Sequence, residues 1–495
     1  MFISLECFGG KMSTLKSKFI VILIVLSLFT IIIGKLWFNQ NSPNLVLYFY
    51  GILVSSVTLL VFLITYTSYK DPYFEAQKIP KSKKKNYSVT CMVAVRNEEI
   101  IIEKCIQSLI NQTYKKKEII FVNDASTDNT KAVLDEYANK GLIKVIYLEE
   151  NVGKKKALAK AMLQAKGEIF AFSDSDSVWA PDALEKVVDV FNLDELIGAV
   201  SGHCRALNGD KNLITKIQDS WYEGQFSIRK AFESVFGSVT CVSGPLAVFR
   251  KSAIFNYIPA WENDKFLGQE FKFATDRTLT GFVLCAKSIG KKLKRKYSDS
   301  PFIKAENFPE RSWKVLYCKS ARSWTEVPDT FRKMLRQQIR WKKSFIRNSF
   351  FTGKHYWKKP LPVSFVYYMH IAFVLVGPLI AFRHLIYLPI QGNLFSAFLY
   401  IAGVLFLGFT FGLAYKVEHK NCHKWIYRPL MSLMSTMVLS WLIFYSALTI
   451  RNNKWLRSNY VKEKIVKETV IKHKVGFNQH FYNLSSILKF KRGTK

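Results

Sequence analysis

Asp174 and Asp176, two carboxylates one residue apart, end the apolar run Phe170-Ala171-Phe172. Oxygen ligands at that spacing suit a hard divalent cation, Mg²⁺ or Mn²⁺, which binds one or two carboxylates and shares substrate phosphates. A solvated turn after a strand would leave the same Asp-x-Asp, because turns favour aspartate. A second acidic end, Asn123-Asp124, follows Ile119-Ile120-Phe121-Val122. Two such ends on one sheet edge suit a nucleoside diphosphate, with one carboxylate accepting from base or ribose and a metal bridging the phosphates. Between them Asn151-Val152-Gly153-Lys154-Lys155-Lys156 opens a helix with a glycine and three lysines. A helix N-terminus with cations suits phosphate, and a solvated basic helix start would look the same. Further on, Ser243-Gly244-Pro245 breaks the chain before an apolar strand. That break is either a purely structural turn or a place where a sugar can approach the backbone. Asp276-Arg277 is either an ion pair or a base beside that sugar.

The elements that must position these residues are legible as alternation. Val89–Val95, Glu118–Val122, Lys144–Leu148 and the run before Asp174 read as strands. Glu98–Ile110, a stretch from the caps Ser126-Thr127-Asp128 to Asn139, and Lys154–Ala165 read as helices. Strands alternating with helices predict an α/β fold with a doubly wound, mostly parallel sheet. Ligands of such sheets bind at the carboxyl edge, where the acids lie.

The chain has 495 residues, 49% hydrophobic and 15% aromatic, and carries 72 Lys+Arg against 37 Asp+Glu, a net +35. The charge sits beside apolar runs, which favours an anionic membrane surface over nucleic acid. A phosphate-backbone binder gains nothing from acids at strand ends. The eight cysteines show no paired metal spacing and fit reduced thiols facing the cytosol. No obligate protein partner is evident.

Hydropathy divides the chain into a basic N-terminus (1–18), two membrane helices (19–68), a basic linker (69–86), a cytosolic catalytic domain (87–328) and an interfacial amphipathic region (329–362). Two further membrane helices and a third hydrophobic segment (363–450) precede a basic tail (451–495). Lysines flank the first helix pair on both outer sides, which places both ends in the cytoplasm. Pro429–Ile450 also has basic flanks on both sides, so it is expected to be interfacial or re-entrant rather than spanning. In 329–350, Phe331, Met334, Leu335, Ile339, Trp341, Phe345 and Ile346 alternate with arginines and lysines, the pattern of a helix lying on a membrane surface.

Several pieces in this order resemble the membrane-embedded processive family 2 glycosyltransferases, closest to the hyaluronan synthases and their chitin-oligosaccharide synthase relatives. They are Val122-Asn123-Asp124-Ala125-Ser126-Thr127-Asp128, Ser173-Asp174-Ser175-Asp176, Cys241-Val242-Ser243-Gly244-Pro245-Leu246, Thr275-Asp276-Arg277 and Gln337-Gln338-Ile339-Arg340-Trp341. The resemblance implies a GT-A-like domain on a transmembrane helical bundle in the plasma membrane. It implies UDP-sugar donors, Mg²⁺ or Mn²⁺, and inverting transfer to a growing polysaccharide that crosses the bilayer. By resemblance Asp124 meets uracil, Asp174 and Lys154 contact the nucleotide, and Asp176 holds the metal. Asp276 is the base. Gln337, Arg340 and Trp341 hold the diphosphate and stack the acceptor, while Cys241, Ser243, Gly244 and Pro245 line the acceptor site. The expected product is hyaluronan from UDP-GlcNAc and UDP-GlcA. A chitin-like or poly-N-acetylglucosamine product from UDP-GlcNAc alone, or single transfer to a lipid carrier, stays open. Two pieces depart from the pattern: Ala274-Thr275 replaces an acidic residue and a glycine before the base, and Trp455-Leu456-Arg457 is one residue shorter than the usual gate motif.

Overall fold

The computed structural model describes residues 14–39, 45–273, 275–419 and 422–452. Ala274, Trp455-Leu456-Arg457 and most of the expected basic termini lie outside the described residues. The catalytic half is built on one eight-stranded sheet. Its strands are β1 (Val89–Val95), β2 (Lys117–Asp124), β3 (Lys144–Leu148), β4 (Ile169–Phe172), β5 (Ser177–Trp179), β6 (Ile197–Ala206), β7 (Ala247–Arg250) and, after a two-stranded hairpin of β8 (Lys265–Phe266) and β9 (Gln269–Glu270), β10 (Lys314–Thr325). The spatial order is β3-β2-β1-β4-β7-β6-β10-β5.

The first four strands are parallel, as the alternation predicts. β7 then runs antiparallel to both β4 and β6. β6 and β10 are parallel, and β5 closes the far edge antiparallel. The sheet is therefore mixed, and the reversal matters for the site. β4 and β7 pair with Phe172 opposite Ala247. The start of β7 therefore lies beside the end of β4, which brings the Ser243-Gly244-Pro245 turn to the edge that carries Asp174.

Each central strand is buried on both faces, so its sequence is a continuous apolar run. Phe170, Phe172 and Phe249 face one cluster, which includes Trp261 and Tyr317. Cys91, Val93, Phe121, Ala171 and Val248 face the other. The alternation of Phe170/Phe172 with Ile169/Ala171 is the two-residue strand period.

Helices Thr14–Asn39 and Leu45–Ser68 cover the first two apolar runs. Among the described residues, three helices are long and apolar enough to cross a membrane: Phe49–Ala76, Leu361–Ile390 and Leu394–Lys416. The third hydrophobic segment is two helices, Lys424–Leu439 and Leu442–Leu448, bent by 41°. Both of its ends are tied to the catalytic half. Lys424 Nζ donates to Asp219 Oδ2 at 2.9 Å, and Lys343 Nζ donates to the carbonyls of Thr449 and Asn452 at 2.6 and 2.9 Å.

The amphipathic stretch forms helix Phe331–Phe351, N-capped by the Thr330 side chain accepting from Lys333 N. One face is more deeply packed than a surface-lying helix requires: Met334, Gln338, Lys343, Ser344, Arg347 and Asn348 are buried. The buried cations are matched. Arg347 pairs with Asp264, which also pairs with Lys155 at 3.0 Å, and Lys343 caps the carbonyls named above. This helix is therefore held against the loop before β8 and the helix that begins at Lys154.

Candidate active site

β4 ends at Phe172, and the chain turns through Ser173–Asp176 before β5. That turn presents Asp174 and Asp176 at the carboxyl edge. Asp174 pairs with Lys154, the first residue of helix Lys154–Gln164. Burial opposes the Lys154 charge, but Asp174, Asp276 and Asp176 outweigh it and hold its pKa above the ordinary lysine value. Asp176 Oδ1 accepts from Thr325 Oγ1 at 3.1 Å, which ties this carboxylate to the end of β10.

The turn before β7 clasps both acidic centres. A Cβ built on Gly244 would stand 2.8 and 2.9 Å from the Asp174 carboxylate oxygens. The glycine is thus needed for close approach of this turn to Asp174. Gly244 N also donates to Asp276 Oδ2 at 3.2 Å. The Cys241 thiol donates to the same oxygen at 3.6 Å, and Arg277 N donates to Oδ1 at 2.9 Å. Asp276 sits in the first turn of helix Thr275–Lys296, where the helix dipole favours a negative charge. Burial and the Asp276 charge push the Cys241 thiol up to about 11, so it is a neutral donor at physiological pH.

Trp341 stacks on Trp221, centroids 5.7 Å apart and planes 28° apart, with Tyr222 tilted against it at 6.3 Å. Gln337, one helical turn before, has a buried Oε1 with no hydrogen-bond partner among the described residues. Both side chains, with Arg340, line a cavity of about 620 Å³.

Of the twelve residues singled out in the sequence, eleven line this one cavity: Lys154, Asp174, Asp176, Cys241, Ser243, Gly244, Pro245, Asp276, Gln337, Arg340 and Trp341. Asp124 does not. It is 5% exposed, and its carboxylate accepts from the amides of Val152 (2.8 Å) and Gly153 (3.0 Å). It holds the loop that delivers Lys154. Burial raises its pKa, and the two amides only partly counter this. A carboxylate has about four lone-pair sites, so acceptor capacity remains after two such bonds.

The cavity extends from Asn97, Glu98 and Asp128 at the sheet edge, past Asp276, to Tyr367, His370 and Val374 on helix Leu361–Phe382. It also contains residues that sequence reasoning missed. Lys230 is buried, donates to Ser201 Oγ (2.8 Å) and Ser243 Oγ (2.6 Å), and lies over the Phe226 ring. Burial lowers its pKa. Arg229 contacts His370 Nε2 at 2.8 Å. Trp221, Arg229, Lys230 and Lys342 carry no local motif; only the tertiary fold brings them to the site.

Residues 90–257 match the family model described as Glycosyl transferase family 2. The chain carries a family 2 glycosyltransferase domain. It is similar to the hyaluronan synthase of Streptococcus pyogenes, 28% identical over 416 residues that span 82% of this chain and 89% of that one. It is also similar to an N-acetylglucosaminyltransferase of Rhizobium leguminosarum bv. viciae, 31% identical over 266 residues, 53% of this chain and 56% of that protein. Among solved structures, the mannosyltransferase PcManGT from Pyrobaculum calidifontis in complex with GDP-Man and Mn²⁺ has a TM-score of 0.43 at 19% identity, covering 81% of this chain and 99% of that one. The TarS 1–349 structure from S. aureus with UDP has a TM-score of 0.32 at 17% identity, covering 70% and 90%. The glycosyltransferase domain is GT-A-like, a curled mixed sheet with flanking helices. With three apolar helices of spanning length among the described residues and its similarity to hyaluronan synthase, this chain is a membrane protein.

Proposed function

We propose that this glycosyltransferase adds sugars processively from UDP-sugars to a polysaccharide and passes the chain through its own membrane helices, making a hyaluronan-type polymer from UDP-GlcNAc and UDP-GlcA. The observation that carries the reading is the single cavity running from Asp174 and Asp176, past Asp276 and Trp341, to the apolar helix Leu361–Phe382. A single transfer to a lipid carrier would also bring the site to the bilayer, and product length separates that reading from a synthase.

The donor diphosphate lies at the carboxyl edge, between Lys154 and the Gln337–Trp341 turn, with Asp124 toward the uracil. The residues fit a divalent cation. Among the described residues no three His, Cys, Asp or Glu side chains form a closed metal site, whereas Asp176 and Asp174 at a cavity mouth suit a Mg²⁺ or Mn²⁺ that shares phosphate oxygens. Bound there, the ion would neutralise charge on the departing UDP. Asp276 takes the proton from an acceptor hydroxyl. That oxygen forms the new bond to the anomeric carbon as the bond to UDP breaks on the opposite face, inverting the centre. Arg340 stabilises the charge gathering on the diphosphate with a fork that matches phosphate. Trp341, backed by Trp221, gives the acceptor ring a flat face.

The bent Lys424–Leu448 segment is read as re-entrant. A spanning helix would separate its ends by about 30 Å, and here both ends are bonded to the catalytic half. The catalytic domain then lies on the cytosolic side of the plasma membrane, where UDP-sugars are made available.

Membranes containing the protein are expected to convert UDP-GlcNAc, UDP-GlcA and Mg²⁺ into a hyaluronidase-sensitive polymer. Asp276→Asn is expected to lower transfer by about 10²–10⁴-fold with membrane insertion unchanged. Polymer from UDP-GlcNAc alone, with no GlcA incorporated, would replace the hyaluronan reading with the chitin-like one. An active Asp276→Asn enzyme would remove the assignment of the base.

A further inference from the structure

At its membrane end the cavity has an unbalanced charge. Arg229, Lys230, Arg277 and Lys342 line it there, beside His370 and Tyr367. The nearby acid Glu233 is already engaged, by Thr240 N and Oγ1 at 2.9 Å each and by Arg229 Nε at 3.4 Å. Lys230 spends its ammonium on two hydroxyls. Burial opposes the Arg277 charge, but the Cys241 thiol that it reaches and the nearby Asp276 carboxylate hold its pKa above the ordinary value; among the described residues it makes no direct ion pair with a side-chain carboxylate, so the one charge of Asp276 faces Arg277, Lys230 and Lys342 together. Lys342 makes no side-chain hydrogen bond or ion pair among the described residues. Burial and then the Arg277 charge push its pKa down to about 8. Two cations that repel each other in a partly desolvated cavity are costly unless an anion enters. Sugar hydroxyls can hydrogen-bond to them but cannot cancel their charge.

We propose that Lys342 and Arg277 form an anion subsite, on the membrane side of Asp276, that binds a carboxylate carried by the acceptor saccharide. The proposal rests on the synthase reading above and names the acceptor's chemistry: a chain containing uronate. Position supports it. Lys342 and Trp341 line the same cavity, so a chain whose one sugar stacks on Trp341 can bring another sugar's substituents to Lys342. Arg277 follows the base, and its planar fork matches a carboxylate. The nucleotide's phosphates have their own cations in the same cavity, Lys154 paired with Asp174, and Arg340. A carboxylate in the subsite would also hold the growing chain between successive transfers.

The test is equilibrium binding to the full-length protein in nanodiscs. The probes are a glucuronate-containing tetrasaccharide of the hyaluronan type, a neutral N-acetylglucosamine tetrasaccharide, and UDP. The wild type is expected to bind the uronate saccharide at least about tenfold more tightly than the neutral one, a preference that weakens with added salt. Lys342→Met is expected to lose most of that preference and Lys342→Arg to keep it. The neutral saccharide, measured on the same samples, controls for folding. Equal binding of the two saccharides by the wild type, or an undiminished preference in Lys342→Met, would overturn the subsite. So would a Lys342→Met defect confined to UDP, which would assign the cations to the diphosphate. An intact uronate preference without incorporation of GlcA would uphold the subsite and overturn the hyaluronan reading, so the two failures are separable.

Discussion

At Asp276, the base proposed above, one carboxylate is held by three donors, two of them from the Cys241–Gly244 turn: it accepts from Gly244 N, Arg277 N and the Cys241 thiol. A thiol raised to about 11 is almost entirely neutral near pH 8. Maleimide labelling of Cys241 is therefore expected to be about two orders of magnitude slower at pH 8 than that of an ordinary thiol, because the thiolate is the nucleophile. Its rate is expected to rise with pH toward 11, which peptide mass spectrometry checks; rapid labelling at pH 7 would refute the neutral donor. Lys230 acts one step back, as a positioning residue, through Ser243. Lys230→Met is expected to lower kcat by about tenfold while the donor KM stays near wild type, with partial recovery in Lys230→Arg; that split marks lost orientation of the turn rather than lost nucleotide binding. The acids at strand ends were legible because two of them close strands of one predicted sheet and fall in order with the other motifs, whereas either alone also fits a structural turn. Lys230 was not, because a lysine inside a helical stretch looks like surface until the helix is seen to be buried.

Among the elements, β7 decides the site. The sequence predicts a strand after Ser243-Gly244-Pro245 but not its direction, and its antiparallel pairing with β4 places Gly244 against Asp174. A parallel β7 would have put the turn at the opposite edge. Gly244→Ala is expected to displace the Asp174 carboxylate, disturb its pair with Lys154, and lower transfer by at least about tenfold with the thermal midpoint little changed, since the clash lies at a cavity wall rather than in the core. Wild-type activity in Gly244→Ala would show that Asp174 can move at no cost. The Phe331–Phe351 helix was readable as amphipathic and basic, yet its depth was not. Arg347 and Lys343 count as polar in any sequence pattern, and only their partners Asp264, Thr449 and Asn452, distant in the chain, make their burial tolerable.

For the whole molecule, the catalytic half and the membrane helices meet at a buried ionic junction. Asp219 binds Arg205 Nη2 at 2.7 Å and Lys424 Nζ at 2.9 Å, and Glu223 lies between His203 and His419 at 3.2 and 3.1 Å. Burial opposes the Asp219 charge, but Arg205 and Lys424 overcome it and hold the carboxylate well below its usual range. A depressed folded-state pKa stabilises the protein above the unfolded value, about 3.9, and that contribution is lost as pH falls further. The junction is expected to stabilise the protein fully at neutral pH and to fail in acid. Asp219→Asn removes the carboxylate that Arg205 and Lys424 share and leaves them Glu223 at 3.4 Å and Asp210 at 3.0 Å; it is expected to cost about 1–3 kcal/mol, read as a lowered thermal midpoint in detergent. An unshifted midpoint would mean that the junction adds no stability. The sequence by itself determined the apolar helices, the parallel half of the sheet and the acids at its edge, because periodicity, hydropathy and strand ends are local properties of a chain. Only the tertiary structure decided that β7 reverses, that Asp124 faces the Val152–Gly153 amides, and that one cavity joins the acids to a membrane helix. Those outcomes depend on pairing between residues far apart in sequence, and strand direction, burial of a charge and the shape of a cavity exist only once the pairs have formed.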